Sequence, residues 1–413
     1  MPKLETIDKL AILADAAKYD ASCASSGAGG RTSRGGRGVG ATDGAGICHA
    51  YTPDGRCVSL LKILMTNYCM FDCAYCVNRI SSNVRRARFT VEEVVALTLD
   101  FYKRNYIEGL FLSSGIIRSP DYTMGELVRI AQRLRCDHDF RGYIHLKTIP
   151  DADPALLDEA GLYADRLSIN IELANADALS QLAPEKSLPA IRKSMGRLRL
   201  KIEDAKGERA KSRKAPRYAP SGQSTQMIVG ADSARDIDIV GTSALLYANY
   251  SLKRVYYSAF SPIPDSSAAL PLKAPPLMRE HRLYQADWLL RYYGFTVDEI
   301  ATGAQGGMLD LALDPKTTWA LANRALFPVD VNRAPYEMLI RIPGLGVRAA
   351  QRIVATRRFH RLRLADLSRL TTSIRKMTPF ICAADWRPGA LTDEADLAAR
   401  LKPPARQLDL FAV

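Results

Sequence analysis

An α/β fold followed by a small all-α domain is the architecture this sequence predicts, on three observations. From about residue 58 to 265, short apolar strand-like runs alternate with amphipathic helical stretches. That order builds parallel strands with helical crossovers. Pro262, Pro264, Pro271, Pro275 and Pro276 then mark a boundary, and from about Phe327 onward the pattern is helical. The 413 residues suffice for two domains or more, and 47% hydrophobic content makes the chain globular. No apolar run is long enough to cross a bilayer. The first residues carry both charge signs, unlike a signal peptide. The expectation is a cytoplasmic protein with no membrane association, whose thiols stay reduced.

Each element has its own reason. Residues 1–57 hold an amphipathic helix over 4–19, with Leu4, Ile7, Leu10, Ala11 and Ala14 on one face, then a Gly/Ser/Arg-rich segment over 24–46 without period. In the span 58–265, Val58–Met65 is a first strand. Thr90-Val-Glu-Glu93 is a capping box that opens a helix to about Arg104. Gly109–Leu112 reads as a buried strand, Met124–Arg135 as a helix, Tyr143–Thr148 as a strand and Asp153–Ala160 as a short helix. Arg166–Glu172, Gln226–Val229 and Arg254–Phe260 read as three further strands. Residues 192–217 carry eleven Lys/Arg against three acids; they read as an exposed basic insertion or a basic helix, either a solvated run or a nucleic-acid contact. Residues 266–326 read as a Pro-rich linker with a helix at His281–Tyr293. Residues 327–386 form the small helical domain, and 387–413 a flexible tail.

The most informative motif is Cys69-Met-Phe-Asp-Cys73-Ala-Tyr-Cys76. A [4Fe–4S] cube has four irons, usually held by thiolates. Three close cysteines hold three irons and leave the fourth open. The alternative is zinc, which ordinarily takes a fourth Cys or His; the nearest downstream His is His138. The C-x3-C-x2-C spacing, with aromatic Tyr75 before the last cysteine, resembles the signature of the radical S-adenosylmethionine (SAM) superfamily. That resemblance implies a partial (β/α)6 barrel with active-site groups at the C-terminal strand ends, where the cysteine loop falls. It also implies a [4Fe–4S] cluster whose open iron chelates SAM, release of a 5′-deoxyadenosyl radical on one-electron reduction, and a donor such as flavodoxin or ferredoxin.

The resemblance implies further SAM contacts. Tyr75 lies near the adenine. Ser113, Ser114 and Gly115 stand where relatives carry a Gly-Gly-Glu stretch, here without its glutamate. Asn170 and Glu172 alternate with apolar residues and so share one strand face; they are candidates for the ribose or carboxylate, or else polar residues at a strand end. Ile228 and Gly230 fall in a stretch that resembles the family's apolar-Gly run beside the adenine, or a plain buried strand. His145 and Lys147 share a strand face, and either can face the pocket. Cys23, Cys48 and Cys57, with His49 beside Cys48, form a candidate second metal site: an auxiliary iron–sulfur cluster, a zinc site or free thiols. Cys136 and Cys382 read as packing residues.

Leu339-Ile-Arg-Ile-Pro-Gly-Leu-Gly346 resembles the hairpin of helix-hairpin-helix DNA-binding modules. Asn332 caps a first helix near Arg333–Arg341, Gly344 and Gly346 permit positive φ, and Val347–Arg357 forms the second helix. Backbone N–H groups at that helix's start make a phosphate site, with Arg341, Arg348 and Arg352 nearby; the alternative is a hairpin used for packing. A net charge of +13 suits the same polyanionic partner. Gln407, Leu408, Leu410 and Phe411 near the chain's end resemble the bacterial sliding-clamp-binding motif, or a tail that packs on its own domain.

Taken together, with Tyr19–Gly27, Gly46–Cys57 and Cys76-Val-Asn-Arg79, the chain resembles a family of radical SAM proteins assigned to DNA modification or repair. Such members end in a helix-hairpin-helix and are associated with a uracil-DNA-glycosylase-like protein. The expected function is radical chemistry on a base or sugar of DNA. A radical RNA-modifying enzyme (thiolation or methylation) and a non-enzymatic iron–sulfur DNA-binding adaptor are the alternatives.

Overall fold

A computed structural model describes residues 4–18, 46–51, 57–263, 267–371, 373–389 and 397–402. Cys23, the run 19–27 and the segment Gln407–Phe411 lie outside the described residues. The chain divides into two compact units, residues 1–234 with 245–275, and residues 235–244 with 276–413.

The first unit is built on a seven-stranded sheet curled into a half-barrel, β1 (Ile47–Tyr51), β2 (Cys57–Leu64), β3 (Gly109–Ser113), β4 (Tyr143–Lys147), β5 (Arg166–Ser168), β6 (Gln223–Val229) and β7 (Arg254–Ala259), in that spatial order. Strands β2 to β7 are parallel, the six expected βα units. β1 is an addition. It pairs antiparallel with β2, Cys48 opposite Leu60 and Tyr51 opposite Cys57.

Helices return the chain between strands. α1 (Thr6–Ala17) precedes the sheet and buries Leu10, Leu13 and Ala17. α2 (Val91–Lys103) starts at the expected capping box, with Glu93 N–H donating to Thr90 Oγ1 at 3.2 Å and Thr90 N–H to the Glu93 carboxylate at 2.8 Å. α3 (Pro120–Cys136) is capped by Ser119 and α4 (Pro154–Tyr163) by Asp153. α5 (Ala176–Leu182) and α6 (Leu188–Lys211) join β5 to β6, and α7 (Asp236–Tyr250) precedes β7. Of the two readings of the basic stretch the helix holds and the insertion does not: residues 192–211 are the body of α6, the crossover helix. Its buried Leu188, Ile191, Met195 and Leu198 recur at helical spacing beneath the charges. Arg197 and Lys201 of α6 pair with Asp158 of α4 at 2.6 and 3.3 Å. Cys136 is exposed at the end of α3 rather than packed.

The second unit contains α8 (Leu277–Tyr292), α9 (Val297–Thr302), α10 (Pro315–Ala322), β8 (Val329–Asp330), α11 (Tyr336–Leu339), α12 (Val347–Thr356), α13 (Leu364–Leu370), α14 (Ile374–Met377), β9 (Ile381–Cys382) and α15 (Leu397–Leu401). Residues 277–326, read as linker and helix, belong to this compact body. Phe295, Trp319, Phe327 and Phe380 stack edge-on in a row, neighbouring centroids 5.3, 6.2 and 5.2 Å apart. Buried Asp236 accepts from Arg279 Nε at 2.6 Å and from Leu309 N–H at 2.9 Å.

The hairpin differs from expectation in two details. The first helix is one turn, beginning after Pro335, and Asn332 does not cap it. Instead Asn332 bonds the Leu362 backbone twice, at 2.7 and 3.1 Å. Gly344 has φ +79°, as the tight turn requires, whereas Gly346 is extended at φ −86° and is the N-cap of α12. A Cβ on Gly344 would lie 2.9 Å from Ser373 O. Gly344→Ala is therefore expected to cost roughly 2 kcal/mol from strain and crowding together, read as a lowered melting temperature.

Candidate active site

The C-terminal ends of all six parallel strands surround one cavity of about 240 Å³. Leu64, Ser113, Lys147, Ser168, Ile228 and Ser258 mark the six strand ends at its wall, and Cys69, Cys73 and Cys76 line it as well. The cysteines lie on the loop that leaves β2, the predicted position.

That loop is held by its neighbours. Gly115 N–H donates to Thr66 O at 2.8 Å, Met70 N–H to Ile116 O at 2.7 Å and Ile116 N–H to Cys69 Sγ at 3.5 Å. A Cβ on Gly115 would stand 2.2 Å from Tyr68 O, so the loop after β3 approaches as only glycine allows. Asp72 accepts from Ser81 Oγ at 2.6 Å, and Glu185 accepts from Asp72 N–H at 2.8 Å. Arg86, which sequence reasoning missed, donates to the carbonyls of Asn67, Asn78, Arg79 and Ser82. Nothing local in the sequence sets Arg86 apart from its basic neighbours Arg85 and Arg88.

Burial pushes the Cys73 thiol up to about 12 and the Cys76 thiol up to about 11, while the Lys186 ammonium pulls both down. Metal-free, these thiols are protonated, and metal binding displaces the protons. Among the described residues, no three His, Cys, Asp or Glu side chains converge closely enough to share one ion; a cube spreads its ligands over separate irons.

Lys186 was also missed. Its Nζ lies 2.5 Å from Glu172 Oε1 and 5.9 Å from the Tyr75 ring centre. Burial works to lower the Lys186 pKa, but Glu172 more than reverses it, and the ammonium stays charged. Burial and the Glu172 charge raise the Tyr75 hydroxyl well above its usual value. Glu172 lies past the end of β5 at φ +68°. Asn170 shares the wall, though neither residue is on the expected strand: β5 ends at Ser168 rather than Glu172, and the loop after it carries both. The buried Tyr75 hydroxyl and Asn170 Oδ1 have no hydrogen-bond partner among the described residues. Polar atoms left unpaired at a cavity wall fit a polar ligand that completes them. With three thiols beside them, the residues fit a cluster and an adjoining polar cofactor.

Of the other predicted contacts, Ser113, Ser114, Gly115 and Ile228 line the cavity. Ser114 Oγ donates to Gly115 O at 2.6 Å. Gly230 follows β6 at φ +80° and is not at the wall. Lys147 lines it and donates to Gln226 Oε1 at 2.8 Å. His145 lies below, with Nε2 2.9 Å from Ser168 Oγ and its ring edge-on to Phe111. Burial, then the Arg166 and Lys147 charges, hold it neutral. Half-buried Cys48 packs against Val58, Leu60 and Phe111.

In the second unit, exposed Arg348 and Arg352 stand on α12 with no ion pair among the described residues. Arg341 is turned inward: it grips the Glu299 carboxylate at 2.8 and 3.0 Å and lies over Phe295 and Trp319. Its expected place on phosphate is thus taken by an internal ion pair. Buried Lys316 donates to Ile340 O at 2.9 Å and Leu345 O at 2.5 Å, and its Nζ lies 4.6 Å from the Tyr293 ring centre. The Tyr293 hydroxyl stands at the start of α12, against Val347 N–H.

Residues 63–206, which carry the cysteine loop and much of the cavity wall, match the radical SAM superfamily. The cofactors of that superfamily are a [4Fe–4S] cluster and SAM, and the residues at the cavity fit both. No curated protein matches the chain significantly. Several solved structures are similar in part, three of them as follows. The [FeFe]-hydrogenase maturase HydG from Carboxydothermus hydrogenoformans is 15% identical with a TM-score of 0.43, over 55% of this chain and 49% of that one. Methylornithine synthase is 15% identical with a TM-score of 0.43, over 56% and 61%. A radical SAM methyltransferase from Sphaerobacter thermophilus is 16% identical with a TM-score of 0.41, over 59% and 71%. This chain spans about half the length of HydG. Among the described residues no helix is long and apolar enough to cross a membrane.

Proposed function

We propose that this protein is a radical SAM enzyme whose substrate is DNA. When bound, the cluster and SAM supply a 5′-deoxyadenosyl radical on one-electron reduction. Cys69, Cys73 and Cys76 hold the cluster in this reading, and the unpaired Tyr75 hydroxyl and Asn170 Oδ1 orient SAM. The Glu172–Lys186 pair fixes charge at the wall. The cavity shields the reacting atoms from water.

The observation that supports DNA is the hairpin of the second unit. Gly344 turns at φ +79°, Gly346 opens α12, and Arg348 and Arg352 stand exposed on that helix. Such contacts hold a phosphate backbone without reading bases. A base inside a duplex is out of reach of a cavity, so the reacting nucleotide is flipped out or unpaired. A flavodoxin- or ferredoxin-type donor, a uracil-DNA-glycosylase-like partner and the sliding clamp complete the proposal, as does an auxiliary cluster at Cys23, Cys48 and Cys57.

The test is 5′-deoxyadenosine formation by anaerobically reconstituted protein with dithionite and SAM, run without nucleic acid, with DNA and with RNA. Product is expected to rise with DNA and to vanish in Cys73→Ala. Stimulation by RNA and not DNA would move the substrate class. An intact cluster that cleaves no SAM under any condition would leave the adaptor reading.

A further inference from the structure

Resting on the DNA reading, the inference here names the form of DNA. Phe359 is 87% exposed, an unusual state for a large aromatic side chain. It is not on a loose end. Two steps before it, Arg357 donates to Val331 O at 3.0 Å and Ala334 O at 2.7 Å. Three steps after it, buried Leu362 is tied to Asn332. Phe359 N–H itself donates to Thr356 O at 3.0 Å. The ring is therefore presented by a turn pinned on both sides.

Its surroundings say what it is presented to. Arg358 and Arg361 flank it, both exposed and without an ion pair among the described residues. His360 Nε2 stands 3.7 Å from the Asp366 carboxylate. On α12, Ala349, Ala350 and Ile353 face inward. The opposite face carries Arg348 and Arg352, one helical turn apart, and leads to the turn that bears Phe359. An apolar protein partner is a poor match for a ring among unpaired arginines. A polyanion with flat apolar faces is a good one: phosphates meet the guanidinium groups and a base stacks on the ring. A base in an intact duplex has no free face, so the match requires an unpaired one.

We propose that Arg348, Arg352 and Phe359 form one strip that binds a DNA strand carrying an unpaired base, with that base stacked on Phe359. The protein thereby selects single-stranded, bulged or lesion-opened DNA over intact duplex.

The test measures fluorescence anisotropy of the full chain with a labelled single strand, the same strand in duplex, the duplex with one bulged base, and RNA of the same sequence. Wild type is expected to bind single-stranded and bulged DNA more tightly than duplex. Phe359→Ala is expected to lose roughly tenfold on those two and nothing on duplex, while Phe359→Trp retains binding. Arg348→Gln is expected to weaken all DNA forms alike and to lower the salt slope by about one. Because Phe359 is exposed, the alanine variant should melt as wild type does. A melting temperature lowered by several degrees would mean the chain covers this ring itself, and would overturn the strip. Equal binding by Phe359→Ala, equal loss on duplex, or a preference for RNA would overturn it too. If wild type binds no DNA, the DNA reading itself falls. If it binds DNA and Phe359→Ala changes nothing, only the strip does.

Discussion

Arg86→Met is expected to yield a folded barrel that cannot keep its cluster. The guanidinium collects the carbonyl of Asn67, just before the cysteine segment, and those of Asn78, Arg79 and Ser82, just after it. It thus closes the loop on itself, where the chain has few backbone ladder bonds of its own. Methionine keeps the stem and removes every donor. Hydrogen bonds from a charged group contribute about 1.5–3 kcal/mol each, and carbonyls left unpaired under burial cost a similar amount. Water can reach part of this loop, so the net effect on the loop is roughly 3 kcal/mol rather than the sum. Cys69, Cys73 and Cys76 would then sample many spacings, and a cube needs one. The measurement is iron per chain and cluster absorbance after anaerobic reconstitution, beside far-ultraviolet circular dichroism. Near-complete loss of iron with an unchanged dichroism spectrum is expected. Full iron content would show that the cysteines need no such frame.

Gly115→Ala is expected to act differently, on position rather than retention. The added Cβ would sit 2.2 Å from Tyr68 O and 3.3 Å from Cys69 Cβ. The first distance is roughly 1 Å inside ordinary contact, and the obstacle is backbone, which cannot rotate aside. Overpacking of this kind costs about 1–3 kcal/mol. The relief available is a shift of the cysteine loop away from β3, which carries the cluster relative to Ser113 and Asn170. A displacement near 1 Å can lower turnover about a hundredfold. Iron content near that of wild type with 5′-deoxyadenosine formation reduced about a hundredfold is the expected pair of results. Activity within twofold of wild type would mean the loop absorbs the methyl group without moving the site.

The contrast between these two residues shows what a sequence makes legible. The three cysteines are readable because a cluster imposes a local spacing. Asn170 and Glu172 stand out by their polar character among apolar neighbours, but the strand expected to carry them ends at Ser168, and the loop beyond it brings both to the wall. Arg86, Lys186 and the tightness at Gly115 depend on chain segments that meet only in three dimensions, and no spacing announces them. The fold follows the same division. Six βα units are visible from local periodicity, whereas β1 is defined by its pairing to β2 and escapes notice. In α6 the dense charge hides an apolar stripe of four residues. Prolines suggested a linker before Phe327, but the row of Phe295, Trp319, Phe327 and Phe380 binds that region into a core. Arg341 looked like a phosphate ligand until Glu299, 42 positions away in sequence, claimed it.

Lys316 carries a consequence of another kind. Carbonyl dipoles that converge inside a tight turn repel one another and repel a phosphate. Dissolved cations can quiet such a turn, but only as far as the surrounding salt allows. Here the counter-charge is covalently attached: an ammonium on a four-carbon stem reaches Ile340 O and Leu345 O from α10. Its local concentration is set by the chain and does not fall on dilution. Burial lowers the Lys316 pKa to about 7, so the turn carries its own counter-charge below that pH and gives it up as the pH rises through it.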